Sequence, residues 1–460
     1  MSDAPSTVTP SERFPGADCV KIFGTFRIAR QPGKILVALL GLVATLIWGS
    51  LLDLIWTGAK KGVDPEVITA YSIARYMESG FEEGKGDAGI YEVYSRHLRG
   101  RVSTIVGSVT PSGGTVIEIG GMCRATSWML RCHPWFSLLF FPGLLLIWAC
   151  AGGMICRMAA VDFARGETIS PRESFAFVRR HYWGGFLLAP IAPVIGIVFI
   201  GLLLVLGGLV LAIPYFGDIL GGLFFFLALI GGLAIAVLWV GWFAGGVLFW
   251  PAVAVEGSSS FDAFATGFHY VYTRPWRAAF YGFVAFVYGA VCWLVVHFFA
   301  HLTLLATHKC VGIGAAAASR TVGDDKVAKL DAIWPYEFLG RAFPEVTWHG
   351  GDWISGLLIF IWVCLVIGLV WSFLVSYFFS AGTAIYFLLR RAVDLTDYEQ
   401  IEEIEEYVHE APPPAGEAPA AAPPPAGETT REASPAAEPP APPPASTGED
   451  SQSGPSESPE

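Results

Sequence analysis

Six stretches of the chain, 35–56, 135–158, 184–213, 219–250, 277–306 and 354–389, each stay apolar for more than 20 residues. A helix of about 20 apolar residues crosses a hydrocarbon core about 30 Å thick, so each stretch is long enough to span a bilayer. Barrel strands alternate apolar and polar positions over about ten residues, whereas these runs are continuous, which selects helices. Composition agrees: 53% of residues are hydrophobic and only 15% charged, against about a quarter charged in ordinary soluble domains. The expected fold is therefore an all-α integral membrane protein with six transmembrane helices. The third and fourth runs meet at Pro214-Tyr215-Phe216-Gly217-Asp218, which leaves room only for a tight hairpin turn.

Basic residues set the expected orientation. Arg13, Lys21, Arg27, Arg30 and Lys34 flank the first run, Arg165, Arg172, Arg179 and Arg180 lie between the second and third, and Arg390 and Arg391 close the last. Six crossings put all of these on one side, which the positive-inside rule makes cytoplasmic along with both termini, in a bacterial inner membrane. Nine further basic residues between Lys60 and Arg131 fall on the other side, in a segment longer than the roughly 60 residues over which the rule governs. The 34 mostly polar residues before the first run make that run an uncleaved anchor rather than a secretory signal.

The net charge of −11 is unevenly spread: from Asp394 onward there are 16 acidic residues and one basic, leaving the rest of the chain at +4. Residues 390–410 place Leu395, Tyr398, Ile401, Ile404 and Val408 on one helical face opposite glutamates, which predicts an acidic cytoplasmic helix. Residues 411–460 hold 15 of the 31 prolines, including three Pro-Pro-Pro runs, and lack the apolar residues for a core. That composition predicts a disordered Pro/Ala/Glu-rich tail, able to dock a cytoplasmic protein partner through its polyproline segments or to serve as a solvated spacer.

The segments entering runs one, three and five share an order. KIFGTFRIARQPGKILVALLG, SFAFVRRHYWGGFLLAP and AFATGFHYVYTRPWRAAFYGF each carry aromatic residues, then arginine, then Pro or Trp, then the span. Each reads as an interfacial amphipathic helix with Arg and Trp at headgroup level. The chain then divides into three hairpin repeats. A cytoplasmic N-terminus (1–34) with its interfacial helix precedes hairpin one (35–158), which is opened by an outward insertion (57–134). Hairpin two with its interfacial helix covers 159–250, and hairpin three covers 251–389 with an outward insertion at 307–353. Asp64-Pro65 offers a helix N-cap with proline at the first helical position inside the first insertion, and GSSSF at 257–261 reads as the cap of the third interfacial helix. The stretches DFARGETISPRESFAFVRRHYWG, AVEGSSSFDAFATGFHYVYTRPW and IYFLLRRAVD resemble loops and the last-span exit of uncharacterised bacterial multi-span families grouped around the membrane domain of glycerophosphodiester phosphodiesterases and Yip1-like proteins. That resemblance covers roughly residues 135–394 and implies architecture only.

In HFFAHLTLLATHKC, residues 297–310, His301 and His308 lie about 40° and 20° round the helix from His297, so the three share a stripe. About 30 Å of helix separates His297 from Arg277 at 1.5 Å per residue, which puts the stripe at the outer surface with Asp53, Cys132, His133, Cys310, His349 and Asp352. An outer metal site would use His297 and His301 with further ligands from His133, His308, His349, Asp53 or Asp352, a donor set suited to zinc or copper. Imidazoles also suit the water–lipid boundary without a metal. Cys123 with Cys132, or Cys132 with Cys310, are possible disulfides in an oxidising compartment, while Cys150, Cys156, Cys292 and Cys364 lie within spans as packing residues. Asp53 is an ionisable residue near the outer end of an apolar run, in either a functional or an interfacial role. Glycine pairs at 207–208, 221–222, 231–232 and 245–246 let helices approach closely, or line a path for a substrate.

HExxH, CxxC, GxSxG and GxxxxGK[ST] are absent from the sequence, as is a GxGxxG opening a helix after a strand, so no catalytic residue or bound cofactor is expected. Basic residues sit at membrane flanks, so no nucleic-acid partner is expected. The reading that results is a non-enzymatic membrane organiser or accessory subunit; the alternatives are a transporter of lipid or another small molecule, and a membrane metalloprotein.

Overall fold

Each apolar run is largely helical in the computed structural model of the chain, which describes residues 20–57, 63–64, 66–76, 86, 88–107, 113–213, 215–315, 319–322, 325–328, 330, 334 and 353–401. A 3-10 turn (Val20–Gly24) and α1 (Thr25–Ala29) lead into the first long helix, α2 (Pro32–Thr57). The first insertion contains α3 (Val67–Tyr76), α4 (Ile90–Gly107) and α5 (Gly113–Cys132), and α6 (Pro134–Arg165) packs back along α2. α7 (Pro171–His181) and a π-helical turn (Tyr182–Leu187) precede α8 (Ala192–Leu211), which pairs with α9 (Phe216–Leu223) and α10 (Phe225–Glu256). α11 (Ser260–Thr273) precedes α12 (Pro275–Ala315); β1 (Ser319–Val322) and β2 (Asp325–Ala328) form an antiparallel ribbon, and α13 (Trp353–Asp394) ends the described helices. Among the described residues, six helical segments, ending in or consisting of α2, α6, α8, α10, α12 and α13, are long and apolar enough to cross a membrane.

Local chemistry sets the helix ends. Ser170 Oγ accepts from Glu173 N at 3.3 Å and donates to the Glu173 carboxylate at 2.9 Å, starting α7. Ser259 treats Asp262 in the same way at the start of α11, so one serine of GSSSF caps a helix as its position predicts. Gly166 (φ 74°) and Gly257 (φ 61°) stop α6 and α10 in the left-handed conformation that costs a glycine least. The third run departs from a single helix from 184 onward. Proline supplies no N–H, and around Pro190 and Pro193 the chain passes through the π-helical turn and a tight turn before α8 starts at Ala192. α12 runs unbroken to Ala315, so His308 and Cys310 ride on the helix rather than in the insertion expected from 307.

The starts of α2, α8 and α12 and the ends of α6, α10 and α13 share one face, here called proximal; the described part of the first insertion occupies the distal face. On the proximal face α1, α7 and α11 pack with the long helices around a core containing Ile22, Phe177, Phe249, Tyr270 and Tyr386. A second core joins Leu52, Phe136 and Phe140 of the spans to Val67, Tyr71, Tyr94 and Trp128 of the first insertion. That insertion is therefore bolted to the bundle. The predicted acidic helix over 390–410 is interrupted: α13 ends at Asp394, Leu395 takes φ 59°, and residues 395–401 are not helical. Residues 402–410 and the tail at 411–460 lie outside the described residues. No disulfide joins Cys123, Cys132 or Cys310.

Candidate functional site: an apolar cavity between the spans

A cavity of about 640 Å³ lies among α10, α12 and α13, with contributions from α6 and α4. Its walls are Ala244 and Val247 of α10, Gly282, Ala285 and Gly289 of α12, Trp371 and Tyr377 of α13, Trp148 of α6, and Val102 and Val106 of α4. Almost every lining atom is apolar. The one phenol, Tyr377, commits its hydroxyl to the Ala285 carbonyl at 2.7 Å. Small residues shape the space. A Cβ at Gly289 would meet the Tyr377 ring at 2.2 Å and one at Gly382 would meet Val247 at 2.9 Å, so glycine lets α13 approach α10 and α12 there. A Cβ at Gly282, by contrast, would face open space. Of the glycine pairs singled out by sequence, Gly221, Gly231 and Gly245 touch neighbouring helices, while Gly207, Gly208, Gly222, Gly232 and Gly246 have open space where a Cβ would stand. None of those eight lines the cavity.

The distal wall comes from α4, and its position is set from another helix. Asp53 of α2 accepts the backbone N–H groups of Tyr91 at 2.8 Å and Glu92 at 3.1 Å, serving as the N-cap that α4 lacks locally. A Cβ at Gly89 would collide with that carboxylate at 2.2 Å, and one at Gly49 would collide with the Tyr91 ring at 2.4 Å. Asp53 thus acts as a structural cap. Along α4, Ser95, Arg99, Val102 and Val106 fall within about 60° of one another around the axis. Arg99 Nε donates to the Ser95 carbonyl at 3.2 Å, directing the guanidinium toward the N-terminal end of the helix. Burial, the largest cause, lowers the Arg99 pKa below its ordinary value. Arg96 pairs with Glu92, and Arg101 pairs with Glu118 at 2.8 Å. Burial, then the Arg101 charge, pushes His97 below its ordinary pKa; Arg101 Nε points at His97 Nε2 from 3.3 Å.

The predicted metal ligands do not converge among the described residues. His297 stacks on Trp293 with centroids 4.9 Å apart, His308 meets the edge of Trp334 at 4.8 Å, and His133 packs edge-on against Trp128 at 5.2 Å. His301 is half-buried one turn beyond His297. His349 and Asp352 lie outside the described residues, and among the described ones no group of three or more His, Cys, Asp or Glu could hold a metal ion.

A polar network absent from the sequence reading occupies the proximal face. Asp162, at the end of α6, receives Lys34 Nζ at 3.3 Å and Arg27 Nη2 at 3.2 Å, with the Gln31 amide beside them. Lys34 and Asp162 are each only 1% exposed. Glu256 bridges the Tyr386 hydroxyl at 2.6 Å and Arg390 at 3.1 Å, and the Tyr270 hydroxyl donates to Asp394. Buried Arg157 bonds the Ala254 carbonyl at 2.8 Å over the face of Phe177. Tyr398 is held between Lys21, 3.5 Å from the ring centroid, and Arg391 at 4.6 Å. These contacts tie helix ends together. The signal in the sequence was present but non-local, since Lys34 and Asp162 stand 128 residues apart.

No family model matches the chain, and neither a curated protein nor a solved structure matches it.

Proposed function

We propose that this is a non-catalytic membrane protein that holds an apolar chain of lipid class between its spans. The observation that carries the reading is the cavity: its volume falls in the range of about 300–1,000 Å³ typical of small-molecule sites, and its walls offer contact surface with almost no hydrogen-bonding groups. A ligand for such a site must be apolar along its length, and the surrounding bilayer supplies acyl chains.

The three-repeat arrangement is part of the same proposal. It is supported by a short helix ahead of each odd-numbered span, α1 before α2, α7 before α8 and α11 before α12. The proximal face is the cytoplasmic one in this reading, supported by Arg27, Arg165, Arg179, Arg180, Arg390 and Arg391 on that side. A second role, as an organiser that presents its acidic tail to a cytoplasmic protein, is favoured by the seating of Tyr398 between Lys21 and Arg391. That contact anchors the chain on the proximal face just before the acidic segment begins.

Native mass spectrometry of the full chain, purified in mild detergent, tests the cavity. A near-stoichiometric apolar-chain ligand is expected on the wild type and is lost from Gly282→Leu, whose side chain extends into open space rather than into a neighbour. Equal ligand on both proteins would overturn the reading.

A further inference from the structure

We infer that the ligand is an intact two-chain phospholipid, one chain of which enters the cavity sideways from the bilayer while its headgroup and second chain stay outside. This rests on the cavity reading and adds which lipid the site takes and how it gets in. α10 and α12 each pack along α13 rather than on each other, and α11 packs on both at the proximal end. Two lining residues, Ala244 of α10 and Phe378 of α13, are exposed, and Phe378 keeps 51% of its surface accessible. The cavity therefore opens to the outside of the bundle at these residues. Each stands about 18 Å from a proximal marker, Glu256 at the end of α10 and Arg390 near the end of α13, at 1.5 Å per residue. In a hydrocarbon core about 30 Å thick that opening lies near the middle, where the bilayer offers acyl chains and no water.

The size of the cavity selects one chain. A methylene takes up about as much room as a water molecule, ~30 Å³. The cavity volume of about 640 Å³ then holds roughly 20 methylenes, one long chain and not two. The lining residues of α13 run from Trp371 to Leu389, about 27 Å of helix, so that room is long and narrow. No charged side chain stands in the walls, which keeps a headgroup out. A sealed cavity would admit only a molecule that fits whole, whereas a side opening lets the rest of a phospholipid remain in the bilayer. The corner joining α11 to α12 lies between two lining residues, Val271 and Ala278. It carries Arg274, Arg277 and Trp276, the last 87% exposed, residue types that settle at headgroup level. Among the described residues neither arginine forms an ion pair, and their charge complements the phosphate that every phospholipid carries.

The full-length protein is reconstituted in nanodiscs of phosphatidylcholine with an equal amount of oleate, extracted in mild detergent and weighed by native mass spectrometry. One phosphatidylcholine per chain is expected on the wild type. Ala244→Phe, whose ring would fill the opening, is expected to retain about tenfold less, roughly what losing the burial of two methylenes is worth. Leu203→Phe, on the exposed surface of α8, is expected to retain as much as the wild type. Phe378→Ala widens the same opening without filling it, and its phospholipid should exchange with added deuterated lipid faster than that of the wild type. Oleate bound in place of phosphatidylcholine overturns the inference and leaves the cavity reading standing. Phosphatidylcholine held equally by the wild type and Ala244→Phe is lipid adhering to the outer surface and also overturns it, as does an equal loss in Leu203→Phe or an unchanged exchange rate in Phe378→Ala. A wild type that carries neither lipid overturns the cavity reading as well.

Discussion

Lys34 and Asp162 are an ion pair taken almost wholly out of water, and such a pair responds asymmetrically to substitution. Lys34 Nζ also reaches the Ile28 carbonyl at 3.2 Å and Gln31 Oε1 at 2.8 Å, so the ammonium is well coordinated in the folded protein. Asp162→Asn leaves that ammonium buried without its countercharge, at a cost of about 3–5 kcal/mol, whereas replacing both partners by apolar residues removes the desolvation penalty as well. Thermal unfolding in detergent should therefore show Asp162→Asn less stable than Lys34→Met/Asp162→Leu, even though the double variant has lost more contacts. Exposed Arg27, 63% accessible at its side chain, should matter little by the same measure, because water screens it. His97 supplies a pH response in the distal insertion. Its pKa in the folded protein lies below the ordinary value near 6.5, through burial and then through Arg101, with Glu118 and Arg124 also facing it. As pH falls through 6.5 the unfolded chain takes up a proton before the folded one, so stability is full above that pH and declines as the pH drops. Melting at about pH 7.5 and about pH 5.5 should show a drop that His97→Gln abolishes.

Helix α4 forms the distal wall of the cavity, and it is held by residues of a different helix. Asp53→Ala removes the acceptor for the Tyr91 and Glu92 N–H groups, a cap loss worth about 1 kcal/mol. Hydrogen exchange should quicken at those two amides and leave the middle of α6 unchanged. Gly49→Leu goes further, because its first side-chain carbon would already stand 2.4 Å from the Tyr91 ring; it should undock α4 and, with it, weaken ligand retention in the cavity. Asp53 stood out in the sequence as an ionisable residue in an apolar run, but the reason for it did not: the N-terminus it caps begins 37 residues later, at Ile90. Signals confined to a few residues fared differently. Ser170 with Glu173 and Ser259 with Asp262 are capping pairs readable from spacing alone, because donor and acceptor sit within one turn. The acidic stripe from Leu395 to Val408 shows the limit of periodicity. Residues 395–401 leave the helix where Tyr398 finds two cations and the Phe163 and Phe387 rings, so a tertiary contact overrides the local pattern.

At the scale of the molecule, the six spans were legible because lipid demands a continuous apolar surface, a constraint satisfied within each segment. The cavity was not legible, since it arises from side chains on six helices and has no local pattern. The spans also differ in how much of their surface the protein itself covers: none of the apolar window of the α8 segment is buried within the protein and only 6% of that of α10, against 22–33% for the other four. Within those windows the rest of the protein leaves the α8–α10 hairpin almost uncovered. An arginine placed at exposed Leu203, mid-span in α8, would meet hydrocarbon, with an insertion penalty of about 2.5–3.5 kcal/mol. The same substitution at Ile313, on the distal end of α12, should be tolerated. α12 has 41 residues, a helix of about 60 Å at 1.5 Å per residue, twice the hydrocarbon thickness, so its far end must project from the membrane. Orientation can be read from the same two ends. With the native cysteines replaced, Ile313→Cys should react with a membrane-impermeant maleimide added outside intact cells, and Arg180→Cys only after permeabilisation. The reverse labelling would put the basic proximal face outside and invert the proposed topology, while leaving the cavity, which is defined by helix packing alone, where it is.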